Sequence, residues 1–387
     1  MLDHELRLAL LHWTWPPTTG GVETHILDLA RFMVALGAEV TVLTGESRPQ
    51  QIEGGEVVHV PELELDRLRA EPGLRLPDSA ARYRAVLEPI LTARGVTALH
   101  AHNLHHFSPG PALALDALRS RWGLRLFHTF HETWPDVLAS NPVYAGWDGN
   151  FAVSEHVQTQ CARLLGFTPL LARLGVDRDR FLRVDRPMGA PLRILHPARV
   201  LPWKGVHLSV AMLALLRDRG IEATLVITDT QRIADWHGEL DAYRQEVVDL
   251  AVARGVLDRI EFVSPRVEEM PALYSSADIV VYPTIGEEPY GLVPLEAMSC
   301  ARPVVGSRSG GIVETVVDGV TGFIVERGDV VGLTDRVEAL ARDPELRRRM
   351  GVAGRRRVEQ GFDGRAYAAA MLARYRIGSL AADPVRA

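Results

Sequence analysis

The stretch RLALLHWTWPPTTGGVETHILDLARFMVALGAEVTVLTG, residues 7–45, holds two apolar runs separated by one helical pattern. RLALLHW (7–13) reads as a buried strand, because a short continuous apolar run suits a strand covered on both faces. In GGVETHILDLARFMVALGA (20–38), Ile26, Leu29, Ala30, Met33 and Leu36 recur at helical spacing and form one apolar stripe. EVTVLTG (39–45) is the next strand. Strand, crossover helix and strand make a parallel βαβ unit.

The same alternation continues outward. TALHAH (97–102), LRLFHTF (124–130) and NFAVS (150–154) extend an open parallel sheet through the first half. RPMGAP (186–191) carries two prolines and a glycine and suits a linker. The pattern then restarts with LRILHPARV (192–200), ATLVITD (223–229), RIEFVS (259–264), DIVVYPT (278–284), RPVVGS (302–307) and GFIVE (322–326) as strands. No self-similarity at a fixed period appears. The expected class is α/β with two Rossmann-like domains, residues 1–186 and 187–362, and a C-terminal helix within 363–387 that packs back toward the first domain. Two such sheets would face a central cleft at the carboxyl ends of their strands, where open α/β sheets bind ligands.

A chain of 387 residues exceeds one ordinary core and fits two domains. Its net charge of −6 provides no electrostatic footprint for nucleic acid. Cys161 and Cys300 cannot build a disulfide framework, so a reducing cytoplasm is the expected location. MLDHELRLALLHWTW has an apolar run of only about five residues, short of a signal peptide's, and no run of about 18 uncharged apolar residues occurs. ELRRRMGVAGRRR (345–357) reads as a solvated helical face, with contact to a membrane surface the less favoured reading.

Of 43 lysines and arginines all but one are arginine, and the exception is Lys204 in ARVLPWKG (198–205). Arg199 and Lys204 follow a strand across a turn containing Pro202, where positive charge can meet a diphosphate. EEPYGLVPLEAMSCARPVVGSRSGG (287–311) sets Glu288 and Glu296 eight positions apart with Gly291 between them. Tyr290-Gly291-Leu292 reads as a helix start, where free amides and the positive dipole end attract phosphate. Glu296, further along that helix, can accept hydrogen bonds from two ribose hydroxyls. Alone, each motif is an ordinary surface loop or helix; both fall at strand carboxyl ends, which gives them weight together.

In the first domain, Gly20-Gly21-Val22-Glu23 joins strand to helix and permits either a tight turn or close approach of a phosphate or sugar. Neither G-x-G-x-x-G nor G-x-x-x-x-G-K-[ST] occurs, which argues against dehydrogenases and P-loop enzymes. Histidines gather at strand ends: His100, His102, His105, His106, His128 and His131. Positions 100 and 102 face one way along a strand, whereas 128 and 131 do not. Without helical i, i+4 spacing or a cysteine pair they read as hydrogen-bonding groups, and no metal is expected. The loops NLHHFSPG (103–110) and HETWPDV (131–137) hold His105, His106, Trp134 and Asp136, which suit a polar small molecule or glycan. Asp177-Arg178-Asp179 has the spacing of a metal-nucleotide motif but reads as a surface turn.

GGVETHILDLARFMVALGAEVTVLT, TFHE, ARVLPWKG, the Glu-x7-Glu stretch and the GG..E after it together resemble family 4 of the retaining glycosyltransferases, whose fold is GT-B. The likeness runs in order over nearly the whole chain. It implies that Arg199 and Lys204 neutralise a nucleotide diphosphate, Glu288 holds the donor sugar and Glu296 grips the ribose. Tyr290, Gly291, Leu292 and Val293 would meet sugar and phosphate, and Arg266 and Val267 would frame the nucleobase. Gly21 would lie near the donor phosphate and His131 beside the donor sugar, so that His131, Glu288, Arg199 and Lys204 form the catalytic set. The acceptor would meet Glu23, His102, His105, His106, Trp134 and Asp136. Two positions depart from the family: Leu174 stands where Asn often precedes Gly-Val-Asp, and Ala301 where Gly often follows Cys.

The resemblance implies transfer of a sugar from a nucleotide-diphosphate sugar, UDP- or GDP-linked, with retention and by a metal-independent front-face route. The donor is a co-substrate, and no cofactor is expected. A sugar-nucleotide epimerase of the same fold is the alternative. The arginine-rich composition suggests a GC-rich genome and a setting in natural-product or glycan biosynthesis.

Overall fold

Strands apolar on both faces, such as residues 8–11, are stable only where helices cover the sheet on both sides. A computed structural model describes residues 6–69, 76–134, 142–184, 191–229 and 240–377. It divides into two compact units, residues 1–174 with 364–387, and residues 175–363.

The strands of the first unit are β1 (Arg7–His12), β2 (Glu39–Thr44), β3 (Glu56–His59), β4 (Ala98–His102), β5 (Arg125–Phe130), β6 (Gly149–Ala152) and β7 (Leu170–Leu171). They form a parallel sheet in the order β3-β2-β1-β4-β5-β6-β7, with Leu8 opposite Val40 on one side and Ala98 on the other. The helix Gly21–Ala35 crosses from β1 to β2 and buries Ile26, Leu29, Ala30 and Met33, while Leu36 stays half-buried. β3 and β7 escape the pattern of the sequence because they span only four and two residues.

The second unit carries β8 (Leu192–His196), β9 (Ala223–Thr228), β10 (Ile260–Val263), β11 (Ile279–Tyr282), β12 (Val304–Ser307) and β13 (Gly322–Val325). These are also all parallel, in the order β10-β9-β8-β11-β12-β13. β8 stops at His196 rather than at 200, because Pro197 offers no ladder N–H. In both sheets the order reverses beside the first strand, between β1 and β4 and between β8 and β11. Such switch points are where doubly wound sheets bind ligands.

The units divide earlier than the expected 186/187 boundary. Residues 175–184 belong to the second unit: Val176 bridges to Asp363, the Phe181 ring packs edge-on to Tyr274, and its carbonyl accepts from Ser299. Most of the expected linker lies outside the described residues. The helix Gly364–Ile377 joins the first unit, where Ala368, Met371, Leu372 and Tyr375 share a core with Ile26, Met33 and Phe127.

The basic stretch lies on the helix Pro344–Gly361. Arg348 pairs with Glu345 and Arg355 with Glu359, while Arg347, Arg355 and Arg357 also cap loop and helix carbonyls. Asp177 Oδ1 accepts from the Asp179 and Arg180 amides, so the D-x-D triplet is a turn. Both cysteines are free and buried, and among the described residues no helix is long and apolar enough to cross a membrane.

Candidate functional site

At the switch point of the second sheet, β8 leads through a short 3₁₀ turn, Pro202–Lys204, to Gly205 at φ 72° and the helix Val206–Asp218. A Cβ on Gly205 would stand 2.1 Å from the Pro283 carbonyl oxygen, so glycine is what lets this turn sit against the end of β11. That approach buries Lys204, at 6% exposure. Its ammonium donates to Tyr282 Oη at 2.5 Å and to Glu288 Oε2 at 2.6 Å, and lies 3.9 Å above the Trp203 ring. Tyr282 donates to the same carboxylate oxygen at 2.6 Å.

The Glu288 backbone is held from the next loop. Its N–H donates to Ser309 Oγ at 2.8 Å, and its carbonyl accepts from the Gly311 N–H at 2.8 Å. A Cβ on Gly310 would meet that carbonyl oxygen at 2.0 Å. Burial pushes the Glu288 pKa upward, but the charge and hydrogen bond of Lys204, the Tyr282 hydroxyl and the Arg199 charge prevail, so it lies below its usual value. Burial and then the Glu288 charge keep Tyr282 protonated as a donor. Arg199 is half-buried, has no ion pair among the described residues, and acts on Glu288 through its charge.

Gly291, at φ 96°, opens the helix Leu292–Ser299, whose N-terminal amides have no side-chain cap. Leu292 and Val293 are half-buried there and Tyr290 is buried. Glu296 accepts from the Tyr274 hydroxyl at 2.5 Å, which orients its carboxylate. Arg266 is exposed and paired with Glu269 at 2.9 Å, with Val267 beside it at the start of a 3₁₀ turn. The structure therefore gathers Arg199, Lys204 and Glu288, and engages Arg266 locally.

In the first unit, Gly20 is the extended residue before the helix Gly21–Ala35, and Gly21 is exposed at its start. Glu23, 8% exposed, accepts a hydrogen bond from Thr14 at the end of β1. His102, ending β4, shares a 2.9 Å hydrogen bond through Nδ1 with His131 Nε2. Asn103, in the left-handed region at φ 49°, accepts from the His131 N–H at 2.8 Å and so places that loop. His25 joins these rings from the first helix, 5.4 Å from His131 between centroids. Burial, reinforced by the neighbouring histidines, holds His102 and His131 well below the usual imidazole range, and burial pushes His25 down to about 3.

His105 and His106 do not present themselves to an acceptor as expected: they are 0% and 1% exposed. His105 Nε2 bonds the Glu132 carbonyl at 3.1 Å, and His106 stacks on Trp134 at 4.2 Å, so these rings build the floor of the loop. Trp134 itself is half-buried. Asp136 lies outside the described residues. Sequence reasoning missed Tyr282, Ser309, Asn103 and His25; His25 sits two residues beyond Glu23 on the helix whose start alone was read as part of the site.

The family model of glycosyl transferases group 1 matches residues 178–357, and that of Glycosyltransferase Family 4 matches residues 19–180. The two meet close to the division between the units. Glycogen synthase of Mycobacterium tuberculosis is 28% identical over 403 residues, covering 94% of this chain and 93% of its own length. D-inositol 3-phosphate glycosyltransferase of Corynebacterium efficiens is 29% identical over 374 residues, covering 86% and 85%. The fold is also that of the Anabaena protein HepE, solved in complex with UDP and glucose, at a TM-score of 0.74 and 19% identity over 95% of this chain and 98% of that one.

Proposed function

This chain belongs to the glycosyltransferases of group 1 and Family 4, and from that premise we propose that it is a retaining, metal-independent enzyme acting on a nucleotide-diphosphate sugar. The observation that carries the reading is the buried Lys204–Tyr282–Glu288 cluster beside Arg199 and the uncapped helix start at Gly291. Positive charge and free amides at a sheet switch point suit a diphosphate, whose negative charge grows as it departs. Lys204 and Arg199 stabilise that charge, Glu288 orients Lys204 and meets the donor sugar, and Glu296 takes the ribose hydroxyls. With two cationic side chains doing this, the reaction needs no divalent ion.

Gly21, Glu23 and Trp134 of the first unit take the acceptor side, and His131, aligned by His102 and Asn103, acts beside the donor sugar. The departing phosphate oxygen takes the proton of the acceptor that attacks on the same face, which leaves the anomeric configuration retained. UDP is the nucleotide to test first, since HepE was solved with it, and GDP the next. Relatives named for glycogen and for D-inositol 3-phosphate make polyhydroxylated acceptors the class to screen.

The test is a thermal-shift screen with UDP, GDP, ADP and dTDP, followed by transfer assays after exhaustive chelation. One nucleotide at a hundredfold excess over its Kd stabilises the native state by about 2.7 kcal/mol. Absence of a shift with all four, or strict dependence of transfer on added divalent metal, would overturn the reading.

A further inference from the structure

We propose that His25, His102 and His131 form a binding site for a zinc-like divalent transition metal, and that its occupancy switches sugar transfer off. The inhibitory half rests on the role proposed for His131; the binding half does not.

One ring nitrogen of each histidine lies within 4.8 Å of the others. Imidazole nitrogens bind zinc at about 2.0–2.1 Å, so three ligands around one ion stand roughly 3.3 Å apart. The facing nitrogens of His102 and His131, at 2.9 Å, need to part by only about 0.4 Å to reach that spacing, and the His25 ring closes the set by moving inward on the order of 1 Å. One further atom points to a missing partner: His25 Nε2 is buried without a hydrogen bond. His100, beside His102, is excluded as a ligand because Tyr375 and Thr129 occupy both its nitrogens.

A neutral imidazole has one lone pair to offer a metal. The proton now shared between His102 and His131 moves to the far nitrogen of its own ring, which frees both facing lone pairs; no proton leaves and no electron is transferred. An all-imidazole set favours zinc, copper or nickel over magnesium or calcium. With Nε2 on the metal, His131 no longer faces a donor sugar.

The experiment titrates the metal-free full chain with Co2+, which in tetrahedral nitrogen coordination absorbs visible light strongly, and then displaces it with Zn2+. We expect a saturable band at one equivalent, its loss in His25→Ala, zinc inhibition of wild-type transfer reversed by chelator, and a His25→Ala rate that is the same with and without that zinc. Circular dichroism verifies the fold of the variant, and His25→Gln serves if the alanine variant unfolds. No band in the folded wild-type chain, or an unchanged band in a folded His25 variant, overturns the site. A band without inhibition keeps the site and overturns the switch, and with it the role of His131.

Discussion

Lys204 Nζ and Glu288 Oε2 lie 2.6 Å apart with side chains only 8% and 12% exposed, and Tyr282 bonds to both. The one lysine of an arginine-rich chain thus occupies a tight site, bounded by Trp203 below and by a carboxylate and a phenol beside it. A compact ammonium with three donors fits there; a planar guanidinium fork does not.

Lys204→Ala leaves the Glu288 carboxylate buried without its cation. Breaking one partner of a buried pair costs about 3–5 kcal/mol, so urea denaturation should show that loss together with the loss of transfer. Adding Glu288→Gln removes the unpaired charge and should restore most of the stability but no activity. Equal stability of the single and double variants would contradict the buried pair.

Lys204→Arg keeps the charge and overfills the site. Overpacking of this kind costs about 1–3 kcal/mol, and turnover should fall by more than about tenfold. Full turnover in this variant, measured at saturating donor, would show that any cation serves.

Ala301, where the family often has glycine, adopts φ 52°, and its carbonyl lies against Gly351 of the helix Pro344–Gly361. The left-handed region costs a side-chain-bearing residue about 1–2 kcal/mol, against roughly 0.5–1 kcal/mol of extra unfolded-state entropy for glycine. Ala301→Gly should therefore raise stability by about 0.5–1 kcal/mol in chemical denaturation. A decrease would mean that the buried methyl contributes more than the strain removes.

Acid should weaken both units. Burial pushes His105 in the first and His196 in the second down to about 3, from an ordinary 6.5, so the native rings stay neutral while the unfolded ones bind protons. The unfolded chain then gains protons as pH drops below 6.5, and stability falls until the folded pKa is reached. At pH 5 each such histidine costs about 2 kcal/mol relative to pH 8. Denaturation midpoints that do not move between pH 7 and pH 5 would refute the neutral burial.

The alternation of apolar runs and helical stripes determined, from sequence alone, two parallel α/β sheets. Compact motifs at the end of a strand or start of a helix singled out Arg199, Lys204, Glu288 and Glu296 as candidates, and the structure gathers the first three. Local periodicity and turn chemistry act over a few residues, and those are visible in one dimension. What only the tertiary structure decided is which ends become neighbours. β8 lies beside β11 and β4 beside β1, which sets Tyr282 against Lys204 and carries His102 and His131 to His25 on the first helix. Parallel pairing is non-local, and the burial it creates, which hides His105 and His106 and neutralises the clustered histidines, depends on packing from segments dozens of residues away.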